Sequence, residues 1–236
     1  MEEIRKELIQ RGINRLCHFT KSKNLAHILN SFDGILATDM IPNLYKEVND
    51  NHRLDGKKDY ICCSIQYPNV YYLERIRDNC KLFKEWIIIT IDPSIILNSD
   101  TMFCKVNAAT ENGKFINRGI EGLRELYDKS ILTKNRTINR TELMPDCCPT
   151  DIQAEVMIFG KIPKEYIKEI IVPTEQQAKE ESIRMSILGV ENPPDIKVCS
   201  ELFSKNLANQ IRKGCIPKEQ YYKHSIKQEG VSSFGL

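Results

Sequence analysis

At 236 residues, with 41% hydrophobic and 28% charged side chains, the chain has a globular composition and room for one sizeable core, which excludes global disorder. A net charge of +2 excludes a strongly basic polyanion binder, so any nucleic-acid contact must come from local basic patches. The nine cysteines include no Cys-x-x-Cys pair and no zinc-spaced Cys/His cluster, so reduced thiols and no metal are expected.

The start, MEEIRKELIQRG, is charged and lacks the apolar core of a signal peptide, and the longest apolar run, Trp86–Ile91, is too short to span a bilayer. A cytoplasmic protein without a membrane anchor is expected. Residues 1–12 read as a short amphipathic helix, with Ile4, Leu8 and Ile9 on one side and Gly12 at its end. Residues 16–20 read as a strand. Ser22 can cap the helix carrying Leu25, Ile28 and Leu29, and residues 35–38 form a second strand after Gly34. Residues 39–58 are a polar loop, or a loop with one short helix, containing NHRLDG at 51–56. A buried-type strand at 60–65 precedes a helix over 70–82, and Trp86–Ile91 is a β-branched strand closed by Asp92 and Pro93. Residues 101–106 form another strand, and Ile120, Leu123 and Tyr127 mark a helix.

Residues 130–151 show no sustained apolar period and are expected as a long loop, basic at Lys134, Arg136 and Arg140. So long a loop in a compact domain is usually functional or disordered. A strand follows at 152–159. A second is expected at 167–172, then a helix with a Thr174/Gln177 capping box that ends at Gly189, then a short strand at 196–199. A single domain over 1–204 is expected, with 205–236 as a basic extension carrying two tyrosines. Short strands among irregularly placed helices indicate an α+β fold with a curved, mixed sheet.

Chemistry concentrates at residues 149–159, PTDIQAEVMIF. Strand alternation puts Gln153, Glu155, Met157 and Phe159 on one face and Ile152, Ala154, Val156 and Ile158 on the other. Taken alone, the run is best read as a half-exposed strand with a polar outer face. The sharper alternative is a Gln-x-Glu arrangement in which Glu155 acts on a ribose. Adjacent cysteines at 62–63 and 147–148 rarely bridge, and they read as packing residues and a loop pair without a catalytic thiol.

The chain resembles the DarT-type DNA ADP-ribosyltransferases over most of residues 14–173. The segments that carry the likeness are CHFTKSKNLAHIL (17–29), NHRLDG (51–56), SIQYPNVYYL (64–73), EWIIITIDPSIIL (85–97), MFCKVNAAT (102–110) and PTDIQAEVMIFGKIPKEYIKEIIVP (149–173). The resemblance implies an ADP-ribosyltransferase-like fold with a split sheet flanked by helices. It implies a toxin or phage-defence enzyme that cleaves NAD at the nicotinamide–ribose bond and places ADP-ribose on a base of single-stranded DNA. Its partner would be an antitoxin, of macrodomain type or otherwise, that removes the modification.

In that frame Glu155 stabilises an oxocarbenium-like ribose, as carboxylates do in glycoside hydrolysis, and helps remove a proton from the attacking base. Arg53 is the second catalytic candidate and clamps NAD phosphates. His18, Phe19 and Thr20 match the strand that holds NAD, with His27 and Leu36 continuing the cleft wall. Gln153 matches the acceptor-contacting position, and Lys134, Arg136 and Arg140 could track DNA phosphates. Where related transferases carry a Ser-Thr-Ser-like strand, this chain has Cys62, Cys63 and Ser64, leaving one hydroxyl. The RLDG and YPN segments resemble the guanine-modifying branch, so guanine is the first expectation for the base and thymine the second. The alternatives are the same NAD chemistry with an RNA, protein or water acceptor, and a catalytically inactive nucleic-acid-binding module.

Overall fold

The computed structural model describes residues 1–42, 55–80 and 83–223. The first half runs α1 (Glu2–Arg11), β1 (Leu16–Lys21), α2 (Leu25–Asn30), β2 (Ile35–Leu36), β3 (Tyr60–Ile65), α3 (Val70–Asn79), β4 (Trp86–Ile91) and β5 (Met102–Cys104). Next come β6 (Ile116–Arg118), α4 (Gly119–Glu125), the hairpin β7 (Ser130–Leu132) and β8 (Thr137–Asn139), then β9 (Glu155–Phe159) and β10 (Lys161–Ile162). The chain continues through β11 (Ile167–Val172), α5 (Glu175–Ile187), β12 (Asp195–Val198), α6 (Asn206–Arg212) and β13 (Gln220–Tyr221).

Among the described residues the main sheet has the order β13-β12-β11-β4-β1-β3-β9-β5-β6. Its neighbours pair antiparallel except β11 and β12, which run parallel, so the sheet is mixed and the fold is α+β as expected. β4 lies near the middle because its β-branched run is buried along its whole length, as a strand covered on both faces must be. It pairs with β1 over six consecutive positions, from Leu16↔Ile91 to Lys21↔Trp86.

The two faces of the sheet differ. On one, a single apolar cluster runs beneath nearly every strand, from Phe103 on β5 through Val156, Cys63, Leu16 and Ile89 to Ile170 on β11, closed by α1, α2, α4 and α5. On the other face the packing is divided. Cys17, Ile88 and Ile171 meet α3 and α6 in one cluster, while Tyr60, Met102, Cys104 and Met157 form another with Ile131 of the hairpin. The division falls between β1 and β3, which share only the pairs Leu16↔Ile65 and Cys17↔Ser64. The nine strands nonetheless form one sheet, so the expected split is seen only as this short pairing.

Local details correct several expectations. Thr174 caps α5 by accepting from the Gln177 amide at 3.2 Å, but the Gln177 side chain does not complete a capping box; its Nε2 donates to the Trp86 carbonyl at 3.1 Å and ties α5 to β4. Ser22 opens a 3-10 turn, and its hydroxyl bonds Glu181 and Arg184 in place of capping α2. Residues 130–151 are not a featureless loop, because the β7–β8 hairpin buries Ile131. Residues 205–223 of the expected extension supply α6 and β13, and α6 buries Leu207, Ala208 and Ile211 in the divided face. Gly34, at φ +69°, is required by contact, since a Cβ there would lie 2.2 Å from the Ile162 carbonyl oxygen.

Candidate functional site

Glu155 is the first residue of β9, between β3 and β5, with Cys104 as its cross-strand partner. Alternation puts it on the divided face with Met157, while Val156 and Ile158 enter the continuous cluster. The half-exposed reading of this strand is corrected: Glu155 through Ile158 are all buried, and Glu155 itself is 8% exposed. A carboxylate this deep needs hydrogen-bonding partners. Asn107 supplies one, donating from Nδ2 to Glu155 Oε1 at 2.6 Å.

The Asn107 amide is held from its other side. Its Oδ1 accepts from the Ala109 N–H at 3.1 Å, and its backbone carbonyl accepts from the Thr110 N–H at 2.8 Å. Such an Asx turn fixes which end of the amide faces the carboxylate. Asn107 lies in the VNAAT run but received no role in the sequence reading. An Asn followed by small residues is a turn signal, and nothing in the sequence ties it to a carboxylate 48 positions later.

The residues before Glu155 are not strand. Asp151 opens an Asx turn, its Oδ1 accepting from the Gln153 N–H at 3.0 Å and its carbonyl from the Ala154 N–H at 2.9 Å. Gln153 therefore sits on a turn at the entrance to β9, which corrects its expected place in the strand beside Glu155. Its amide oxygen, oriented toward the Arg136 guanidinium, accepts from Nη2 at 2.9 Å and Nη1 at 3.2 Å. Arg136 Nη2 also reaches Asp151 Oδ2 at 2.7 Å. Burial pushes the Asp151 carboxyl above its usual range, opposed by the Gln153 N–H and by Arg136. Gln153, Arg136 and Asp151 thus form one unit that joins the hairpin to the Glu155 strand.

Across the seam, His18 lies just past the last β1–β3 pair. Its Nδ1 is 3.0 Å from the Cys62 carbonyl oxygen, and burial holds the imidazole below its usual range, so the ring is neutral near pH 7. Phe19 packs with Tyr72 at 6.0 Å and Trp86 at 6.5 Å between ring centroids, and Thr20 is buried with its hydroxyl accepting from Asn24 Nδ2 at 3.0 Å. Burial pushes the Cys63 thiol up, and Cys17 and Glu155 push it further, so these three groups lie within electrostatic reach across β1, β3 and β9. Ser64, the remaining hydroxyl of the β3 segment, is buried and accepts from the Asn69 N–H at 3.1 Å at the start of α3.

The other expected residues are more scattered. Arg53 lies outside the described residues. His27 is exposed on α2, and Leu36 is half-buried on β2 opposite Lys161. Lys134 is exposed on the hairpin turn, where its backbone N–H meets Glu111 at 2.8 Å. Arg140 turns inward, donating to the carbonyls of Cys148 at 2.6 Å and Pro145 at 2.7 Å, so its guanidinium braces the loop. None of the nine cysteines forms a disulfide, including Cys147 and Cys148 with sulfurs 3.9 Å apart. Among the described residues no group of His, Cys, Asp or Glu could hold a metal ion, and no helix is long and apolar enough to cross a membrane.

Comparison with known proteins fits this geometry. Residues 17–203 match the family described as DarT, ssDNA thymidine ADP-ribosyltransferase. No curated protein sequence matches the chain. Among solved structures, it is similar to Thermus sp. 2.9 DarT in complex with NAD+, with a TM-score of 0.60 at 16% identity over 81% of this chain and 98% of that one. The same Thermus protein in complex with ADP-ribosylated ssDNA gives a TM-score of 0.60 at 13% identity over 82% and 97%. Thermosipho africanus DarTG in complex with ADP-ribose gives 0.55 at 18% identity over 80% of this chain, which spans only about half (51%) of that chain's length. At these identities the structural likeness establishes a shared fold.

Proposed function

This chain belongs to the DarT family, and from that premise we propose that it transfers ADP-ribose from NAD to a base of single-stranded DNA and releases nicotinamide. The observation that carries the proposal is the buried Glu155, held by Asn107 on the divided face of the sheet beside the β1–β3 seam. In the reaction the ribose C1–nicotinamide bond breaks and nicotinamide leaves with the electron pair. A base nitrogen bonds to C1 and gives up its proton. Glu155 stabilises the positive charge on the ribose and takes that proton. The bond exchanged is glycosidic, so the reaction is a pentosyl transfer and not a nucleotidyl transfer at phosphorus.

His18, Phe19 and Thr20 would hold NAD along β1, with His27 and Leu36 on the outer wall, and Arg53 would supply the phosphate clamp. The solved Thermus complexes with NAD+ and carba-NAD+ support NAD as the donor. Gln153 and Arg136, joined in the turn before Glu155, would face the acceptor; Lys134, exposed on the same hairpin, would meet its phosphates. Arg140 is withdrawn from that role in our reading, because loop carbonyls occupy its guanidinium. The base is where two arguments part. The RLDG and YPN segments favour guanine, while the family description names thymidine. We also propose a partner that reverses the modification, a macrodomain or another ADP-ribosyl-removing antitoxin. The reading is supported by the Thermosipho africanus chain named DarTG, about half of which lies beyond the match.

The test is mass spectrometry of a single-stranded oligonucleotide pool incubated with the protein and NAD, beside a Glu155→Ala control. An added ADP-ribose that vanishes in the control supports the transferase reading, and fragmentation names the base. Nicotinamide release over unmodified oligonucleotide would move the acceptor to RNA, protein or water. The absence of both products would sink the proposal and leave a nucleic-acid-binding module.

A further inference from the structure

A cavity of about 110 Å³ opens beside the turn that leads into Glu155. Ile138 of the hairpin, Ile152 of the turn and Ala208 of α6 contribute apolar lining, Tyr71 contributes an exposed aromatic ring, and the Arg136–Asp151 pair and the Arg212 guanidinium contribute charge. Tyr71 is 40% exposed, so its ring is accessible to a ligand. Arg136 is the same residue that bonds Gln153 and Asp151. The cavity is therefore continuous with the proposed acceptor side of the site. Arg212 is anchored through Nη2 to the Asn139 carbonyl at 2.8 Å, which leaves its other guanidinium N–H groups to serve a ligand.

We propose that this cavity receives one unstacked base of the acceptor strand, a neighbour of the base that is modified. The inference rests on the single-stranded DNA reading above and adds a specificity subsite to it. Size limits the occupant. The cavity is well below the ~300–1,000 Å³ of sites that enclose a whole ligand, so it holds one ring and leaves sugar and phosphate outside. Chemistry narrows it further. An apolar floor with a tyrosine suits the π-face of a base, and Arg212 suits the phosphate beside it, while Arg136 is held by Gln153 and Asp151 at the cavity wall. Single-stranded nucleic acid is commonly gripped by this pairing of an aromatic platform with backbone cations. The location adds a functional reason: a base seated here would fix the strand's register relative to Glu155 from a point only a few residues away in the chain.

The experiment scans abasic sites through an oligonucleotide that the wild-type protein modifies, one position at a time around the acceptor. Binding is read by fluorescence anisotropy and transfer by mass spectrometry. One flanking position should stand out, with affinity falling about ten- to a hundredfold when its base is removed. Ala208→Phe, which fills the cavity, should weaken binding of the intact oligonucleotide to a similar degree and make that position indifferent to its base. Tyr71→Ala, at an exposed ring where folding is not at stake, should cost about tenfold at the same position. In both variants nicotinamide release from NAD alone should match wild type. If wild type modifies the oligonucleotide but every flanking abasic site and Tyr71→Ala are neutral, the subsite is wrong and the transferase reading stands. If wild type neither binds nor modifies any oligonucleotide, both fall together.

Discussion

The two halves of the sheet differ in what they bury. On the β11–β4–β1 side, isoleucines fill both faces, and β1 stays in register with β4 for six positions. On the β3–β9–β5 side β9 and β5 are shorter, and β9 opens on a buried glutamate held by an asparagine, with an arginine–aspartate pair at the turn before it. Continuous pairing and dispersion make a rigid wall. Interrupted pairing at the β1–β3 seam leaves polar groups that must be satisfied one by one. The difference teaches that stability and chemistry can be removed separately, and the largest effects should come from doing so.

Glu155→Gln keeps the shape of the side chain and an oxygen that can still accept from Asn107. It should leave the thermal midpoint nearly unchanged and lower ADP-ribosyl transfer by about 10²–10⁴-fold. A variant that loses activity only in proportion to lost folded protein would mean that Glu155 is a packing residue. The counterpart in the other half is Ile170→Ala on β11, fully buried and separated from β9 by three strands. It should cost about 2–5 kcal/mol in denaturant unfolding and leave transfer per folded molecule unchanged. Equal losses of stability and turnover from both variants would dissolve the distinction between the halves.

The wall was far more legible in the sequence than the site. WIIITI can only be a buried strand, and Thr174 marks the start of α5 because its cap is local. The hairpin escaped because each of its strands is three residues long and turns a single isoleucine inward, too little to make a period. Two-residue strands such as β2 and β13 carry no pattern at all. Glu155 itself stood out as an acid among apolar residues, but its partners did not. Asn107 and the Arg136–Asp151–Gln153 unit are brought together by folding across 48 and 15–17 positions, and side-chain hydrogen bonds over such separations leave no trace in periodicity. Arg140 shows the same limit in reverse: its charge resembles that of Arg136, and only the fold separates a guanidinium bonded to loop carbonyls from one bonded to Gln153 and Asp151.

Asn107 offers a finer cut within the chemical half. Asn107→Ala removes the donor to Glu155 Oε1 and should reduce kcat by about tenfold with a smaller change in KM for NAD, the loss of one hydrogen bond to a charged group. Asn107→Asp places a like charge beside the carboxylate and should move the acidic limb of the pH–rate profile to higher pH. An unchanged profile with an equal drop in every parameter would mark Asn107 as structural only.

The smallest expected effect lies on the seam itself. His18 is held neutral by burial, so its pKa in the folded protein is below the ordinary value of 6.5 while the unfolded chain keeps that value. The unfolded state therefore binds a proton more tightly, and stability must fall as pH drops below about 6.5 toward the folded-state pKa. At most one proton is involved, which limits the slope to about 1.4 kcal/mol per pH unit. His18→Asn cannot titrate, yet its side-chain amide can still bond the Cys62 carbonyl. Urea midpoints measured from pH 7.5 down to 5 should fall more steeply in wild type than in this variant. Parallel slopes would mean that the ring admits a proton without cost, and that the seam is as open to water as the rest of the wall is closed.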